Sequence, residues 1–326
     1  MGNKRLLAPE IYNISNSYFN GSDYCFADIF AGSGSVASYF ISKNKKTIIN
    51  DLLYSNFVSY KAWFGKGRFR KKTIGDMIKH FNSIDPNALG DNYFSDVYGD
   101  KYYSMNNAKK IGFIRDFIAN ENLKERERFI LITSLMYAAD KCANTVGHFE
   151  HYLSSFHNDK NLIMNNLNIN ESDSAEIYCA DANLLSKKIN SDVVYIDPPY
   201  NARQYVNFYH VLENLATWNK PEIFQGKSMK FSRNHLKSEY CKSNATNVMS
   251  DLISSIKSKL IILSYNNTTS ARSTSSNIRI PLSDIESILK TKGKLLEIRE
   301  IAHKPFSAGK TNFKNHKELL FVCEAS

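Results

Sequence analysis

The sequence predicts an α/β chain: a mostly parallel sheet ending in an antiparallel hairpin, with a mainly helical lobe inserted between its strands. Three observations predict it. Residues 24–30 form an apolar run that ends in the glycine turn Gly32-Ser33-Gly34 and continues as a helical pattern. A second apolar run, 192–196, leads straight into Asp197-Pro198-Pro199-Tyr200. Between about residues 65 and 174 the alternation of strand and helix stops, and basic, aromatic and helical segments take its place.

The elements follow in order. The strand at 24–30 and a helix over 36–43 make one βα unit; a strand at 47–50, closed by Asp51, and a helix over 52–64 make the next. The inserted stretch holds the basic run 66–72, an aromatic-rich loop at 93–103 and helices near 107–119 and 123–142. Strands at 176–180 and 192–196 resume the sheet, and 225–247 makes a second polar and basic excursion. The strand 260–264, a helix over 282–290 and strand candidates 295–301 and 319–323 complete the core, the last two pairing as a hairpin. The expected organisation is a core of 1–64 and 175–326, an inserted lobe of 65–174 and an additional insertion at 220–247.

A chain of 326 residues, 43% hydrophobic and 23% charged, can bury a large core, which excludes a disordered chain or a disulfide knot. The five cysteines are scattered and form no C-x-x-C pair, so neither a disulfide framework nor a structural zinc site is expected. His148 and His151 lack the companions a metal site needs. No apolar run is long enough for a bilayer span, so a soluble, cytoplasmic protein without a membrane partner is expected. The 42 Lys and Arg against 32 Asp and Glu give +10, which favours a polyanionic partner only weakly.

Chemistry narrows this. Gly32 and Gly34 carry no side chain to block a ligand from the backbone N–H groups and helix N-terminus behind them. Asp51 lies 19 residues beyond Gly32, where a carboxylate can accept from both hydroxyls of a ribose. Asp51 could instead cap the next helix. Asp28 stands in an otherwise apolar strand and needs a partner, which a cationic or amino-bearing cofactor supplies.

In Asp197-Pro198-Pro199-Tyr200 the prolines remove backbone donors and hold the turn extended. The Asp197 carboxylate and the Pro198 carbonyl can each accept one N–H of a planar exocyclic amine, and Tyr200 can stack on the base that carries it. An amine that gains positive charge as it takes a methyl group is stabilised by those acceptors more than the neutral amine is.

With these motifs in place the chain resembles adenine-specific DNA methyltransferases of the restriction-modification type that carry the cofactor motif first and Asp-Pro-Pro-Tyr later. Gly2-Asn-Lys4-Arg resembles the family's N-terminal cofactor segment, and residues 28–34 its methyl-donor turn. Asn50-Asp51 resembles its ribose-binding acid, Cys179-Ala-Asp181-Ala182 the position that contacts the cofactor's adenine, and 263–267 and 317–320 its late core strands. The resemblance implies a Rossmann-like, seven-stranded methyltransferase sheet and S-adenosyl-L-methionine as cofactor. Its binding residues would be Lys4, Asp28, Phe30, Ala31, Gly32, Ser33, Gly34, Asp51, Asp181 and Ala182, with Lys4 near the methionine carboxylate. It also implies double-stranded DNA as partner, a cognate restriction endonuclease encoded nearby without direct contact, a prokaryotic cytoplasm, and a monomer or weak dimer.

A duplex adenine must be flipped out to reach such a pocket, at a cost of about a few kcal/mol. Stacking on Tyr200 would offset about 1–3 kcal/mol of it. Tyr205 or Phe208 could line the opposite wall or simply pack in the core. Lys66, Arg68, Arg70, Lys71 and Lys72, with Lys230 and Arg233 of the looser set 227–242, are candidates for phosphate contact. Arg203 and Gln204 could read base edges or fill the gap left by the flipped base. Methylation of RNA or of a protein glutamine is the competing enzymatic reading, with Asp197 favouring DNA; a nonenzymatic nucleic-acid-binding relative and an NAD dehydrogenase are the others.

Overall fold

The computed structural model describes residues 4–156, 160–169, 175–269, 274–302 and 317–326. Gly2 and Asn3 of the expected cofactor segment lie outside the described residues. In chain order the elements are α1 (Ala8–Tyr18), β1 (Cys25–Asp28), α2 (Ser35–Ser42), β2 (Lys46–Asp51), α3 (Tyr54–Phe64) and α4 (Lys71–Ser83). Then come α5 (Tyr93–Tyr98), α6 (Met105–Asn120), α7 (Glu125–Cys142), β3 (Ala175–Cys179), α8 (Ala182–Ser186), β4 (Val193–Ile196) and α9 (Tyr205–Thr217). The chain closes with α10 (Ala245–Ser255), β5 (Leu260–Asn266), α11 (Leu282–Lys292), β6 (Gly293–Ala302) and β7 (Lys317–Ala325). No described helix is long and apolar enough to cross a membrane.

The strands form one seven-stranded sheet in the order β3-β2-β1-β4-β5-β7-β6. The first five are parallel, and β7 pairs antiparallel with both β5 and β6, which gives the expected mixed sheet with its terminal hairpin. Every residue of β4 is buried and β5 is buried to its last residue, as central strands covered on both faces must be. One apolar layer holds Ile48, Ile196, Ile261 and Leu263 with residues of α8, α10 and α11; the other holds Phe26, Phe40, Tyr195 and Leu320 with α1. Each such side chain contributes about 1.5–3 kcal/mol by leaving water.

The chain divides into two compact units: Met1–Leu52 with Ser174–Tyr205 and Leu236–Ser326, and Leu53–Asp173 with Val206–His235. The boundaries differ from those read in the sequence. α3 joins the second unit because Val58 and Ala62 pack in one apolar cluster with residues of α4, α6 and α7. α9 joins it for two reasons: Val211, Leu215 and Ala216 sit in the same cluster, and Glu213 accepts the first N–H groups of α3, from Tyr54 at 2.9 Å and Ser55 at 3.0 Å. The expected aromatic loop at 93–103 begins as α5, capped by Asn92, and the rings of Phe94, Tyr98, Tyr102 and Tyr103 are all buried.

Candidate active site

Parallel strands bring their carboxyl ends to one edge of the sheet. Where strand order reverses, between β1 and β4, the two following turns diverge and leave a crevice. The register pairs Asp28 with Tyr195, so the glycine turn after β1 and the Asp-Pro-Pro-Tyr turn after β4 lie side by side at that switch point.

The glycine turn is built as a cradle. Gly32 and Gly34 have φ of 53° and 71°, a left-handed region that favours glycine, and Gly34 is the N-cap of α2. A Cβ at Gly32 would approach no heavy atom closer than 4.0 Å, so the space beside it is open. Asp51 Oδ2 accepts from the Gly32 N–H at 2.9 Å, which fixes the acid beside the turn. Phe30, Ala31 and Ser33 flank the turn at or near the surface. Asp181 caps α8, accepting from Asn183 and Leu184 N–H groups at 3.0 and 3.1 Å, with Ala182 buried behind it.

Asn50 ties these turns together, and the sequence reading gave it no role. Its side chain donates to the Ile29 and Ala180 carbonyls, each at 3.0 Å, and accepts from the Ala180 N–H at 3.0 Å. The ends of β1, β2 and β3 are thereby stapled at one buried amide.

Asp28 is 1% exposed, and its Oδ1 has no hydrogen-bond partner among the described residues. Burial first, and then the charge of Asp197, push its carboxyl well above the ordinary range. A buried acceptor without a partner next to a glycine cradle and a second acid fits an amino-bearing nucleoside cofactor, because the ligand's donors satisfy what the protein leaves unmade.

Beyond β4 a polar cluster forms at Asp197. Lys4 lies 3.3 Å from the Asp197 carboxylate, donates to Ser264 Oγ at 3.2 Å, and pairs with Glu318. The Tyr200 hydroxyl bonds to Asp197, to Glu318 at 2.6 Å and to Lys4, whose ammonium stands 4.8 Å from the centre of the Tyr200 ring. Ser264 donates to Glu318 at 2.5 Å. The sequence reading put Lys4 near a cofactor carboxylate; the structure puts its ammonium between two carboxylates of the protein. Burial pushes the Asp197 carboxyl up to about 6, Lys4 opposes that rise and Glu318 adds to it. Burial also works against the Glu318 charge, but Lys4 and the hydrogen bonds from Lys4, Ser264 and Tyr200 hold Glu318 below its ordinary value.

The turn itself is pinned from behind. Pro198 is buried and Pro199 half-buried. The Tyr200 carbonyl accepts from the Arg279 N–H at 2.7 Å and the Tyr265 hydroxyl at 3.2 Å, and the Tyr200 and Tyr265 rings meet edge to face at 4.9 Å. Ser264 and Glu318 escaped the sequence reading, although each is a polar residue in an apolar strand, the same signal that drew attention to Asp28.

The remaining predicted residues scatter more. Arg203 is exposed, while Gln204 clamps the backbone of Ser238 through two hydrogen bonds, at 2.9 and 2.7 Å. Tyr205 is 38% exposed and Phe208 is buried in the second unit, where it packs edge-on against His148. Lys66, Arg68, Lys71 and Lys72 are exposed. Arg70 makes a two-pronged bond to the fully buried carboxylate of Glu127, at 2.8 and 2.6 Å. Lys230 is half-buried, and Arg233 bonds to Asn207 at 3.0 and 2.6 Å and to the Phe231 carbonyl at 2.8 Å. Among the described residues no group of His, Cys, Asp and Glu is arranged to hold a metal.

Residues 1–271 match the family model of the D12 class N6 adenine-specific DNA methyltransferases. The chain belongs to that family. It is 30% identical to the Type II methyltransferase M.NlaIII of Neisseria lactamica over 98% of its own length and 95% of that relative's. It is 35% identical to the modification methylase StsI of Streptococcus sanguinis over 99% of its length, and 30% identical to the Type II methyltransferase M.FokI of Planomicrobium okeanokoites over 98%. The chain spans 51% of each of these two longer relatives. The D12 family match and the two turns at the switch point concern the same residues.

Proposed function

We propose that this chain methylates the exocyclic N6 of adenine within a short sequence of double-stranded DNA, with S-adenosyl-L-methionine as methyl donor, as the modification arm of a restriction-modification system. The observation that carries the proposal is the placement of Asp197, an acceptor at the end of β4, beside the glycine cradle and Asp28 at the end of β1, whose Oδ1 has no hydrogen-bond partner among the described residues.

Asp28, the Gly32 to Gly34 backbone, Asp51 and the turn at Asp181 would hold the cofactor. When bound, that cofactor supplies an electrophilic methyl group on a sulfonium. The chain's own residues act on the amine. Asp197 and the Pro198 carbonyl each accept one N–H, which fixes the nitrogen lone pair out of the base plane and stabilises the positive charge it gains. Tyr200 would stack on a base flipped from the duplex once its hydroxyl leaves Asp197.

Lys71 and Lys72 begin α4, where positive charge opposes the helix dipole, and the phosphates of DNA would relieve that conflict. The test is transfer of labelled methyl from S-adenosyl-L-methionine to duplex DNA, followed by digestion to nucleosides. Label in N6-methyl-2′-deoxyadenosine supports the reading; label in a cytosine nucleoside, or none in DNA while RNA or a protein glutamine accepts it, overturns it.

A further inference from the structure

Glu318 is a buried carboxylate that the proposed transfer does not use. It lies on β7, 2% exposed, and its partners are Lys4, Ser264 and Tyr200. Burying one ammonium with two carboxylates is costly unless each has a purpose, because Asp197 alone would neutralise Lys4. The distances assign the purposes: Lys4 stands 3.3 Å from Asp197 and closer to Glu318, with Ser264 bonded to both Lys4 and Glu318. An amine substrate must bind the same Asp197 carboxylate to which Lys4 is attracted.

We propose that Glu318 is a positioning residue for the methyl transfer: together with Ser264 it takes the Lys4 ammonium, so that the Asp197 carboxylate keeps an acceptor oxygen open for the amine of the target adenine. This inference rests on the methyltransferase reading. With Glu318 present, Lys4 has a second anion to hold it while adenine enters. Without it, Asp197 is the one carboxylate among the described residues left to pair with Lys4, the pair tightens, and the amine competes against a full positive charge. The groups facing Asp197 are Lys4 from the N-terminal turn, Asp28 from β1, Tyr195 from β4, Tyr200 from the turn and Glu318 from β7, and of these Lys4 and Glu318 have opposite effects on it.

Steady-state methylation of duplex DNA by the full chain, measured from pH 5 to 9 for wild type, Glu318→Gln, Glu318→Asp, Lys4→Met and the Lys4→Met/Glu318→Gln double variant, tests it. Glu318→Gln is expected to lower kcat about tenfold, with binding of the cofactor analogue sinefungin changed by less than about twofold. Its acid limb should move down by about one pH unit, because Asp197 loses the repulsion of Glu318 and gains Lys4. Glu318→Asp keeps the charge, so it should keep the wild-type limb and recover part of the rate. With Lys4→Met in place, adding Glu318→Gln should cost less than about twofold more, since Glu318 acts through Lys4. An unmoved limb and rate in Glu318→Gln, a displaced limb in Glu318→Asp, or an equal loss with and without Lys4 overturns the role of Glu318 while leaving the methyltransferase reading standing. A wild type that leaves DNA unmethylated overturns that reading, and the role of Glu318 with it.

Discussion

Asn50 and Ala180 face each other through a reciprocal pair of hydrogen bonds: the side-chain amide of Asn50 donates to the Ala180 carbonyl and accepts from the Ala180 N–H, both at 3.0 Å. The same amide reaches the Ile29 carbonyl, so one residue sets the spacing of the turns that follow β1, β2 and β3.

Replacing Asn50 with Asp removes the donor and leaves the buried Ile29 carbonyl and the half-buried Ala180 carbonyl facing a carboxylate. The expected result is a folded chain less stable by about 2 kcal/mol, with sinefungin affinity lowered about tenfold or more. Calorimetric titration checks it. Unchanged affinity would mean that the three turns keep their spacing without Asn50.

Asp197→Ala should abolish methyl transfer and leave sinefungin binding within about threefold of wild type, because the carboxylate meets the amine and not the cofactor. The same carboxylate sets the pH dependence. Its pKa is raised to about 6, and in the proposed role its ionised form would accept the amine, so kcat/KM should climb as pH rises through about 6 and level off above it. A profile flat from pH 5 to 8 contradicts this.

Arg70 and its neighbours Lys66 and Arg68 should separate in behaviour. Arg70→Ala leaves the buried Glu127 carboxylate without its main partner and should lower the midpoint of urea unfolding. Lys66→Ala and Arg68→Ala should leave stability within about 0.5 kcal/mol. If both contact phosphates, their double variant makes the slope of log affinity against log salt shallower by about two, and its binding deficit is largest at low salt. A slope equal to that of wild type removes this stretch from the DNA footprint.

The Arg70 to Glu127 pair also gives a signed prediction. The hydrogen bond from the Arg70 side chain, with backbone donors from Arg70 and Lys124, holds Glu127 down to about 2, below its ordinary value. A depressed folded-state pKa contributes stability at pH above the unfolded value, and that contribution is lost as pH falls from about 4.5 toward about 2. Arg70→Ala should therefore unfold with less pH dependence than wild type across that window.

Much of the fold was legible because its signals are local. An apolar run ending in Gly32-Ser33-Gly34, or one ending in Asp197-Pro198-Pro199-Tyr200, marks both a strand and the turn after it, and parallel pairing then places the two turns side by side. α1, α4 and α10 are not among the expected helices: in α1 the polar Ser15 shares the buried face, whereas in α4 Ile74, Met77, Ile78 and Phe81 do recur at helical spacing, a signal masked by the basic run that precedes them. The rings between Tyr93 and Tyr103 read as loop because aromatic density gives no helical period; their role is to fill a core built from distant segments. In the site, the glycines and Asp197 announce their chemistry by residue type. Lys4, Ser264 and Glu318 meet from positions as much as 314 residues apart, and that meeting is a property of the sheet order.

On the proposed function, Asp197 presents the amine of adenine to a methyl donor. Single-molecule sequencing of DNA from cells expressing the chain, with Asp197→Ala beside wild type, reads this out. N6-methyladenine is expected at one short motif in the wild type and none at that motif in the variant. Equal methylation in both, or a wild type that leaves adenine unmodified, would contradict it.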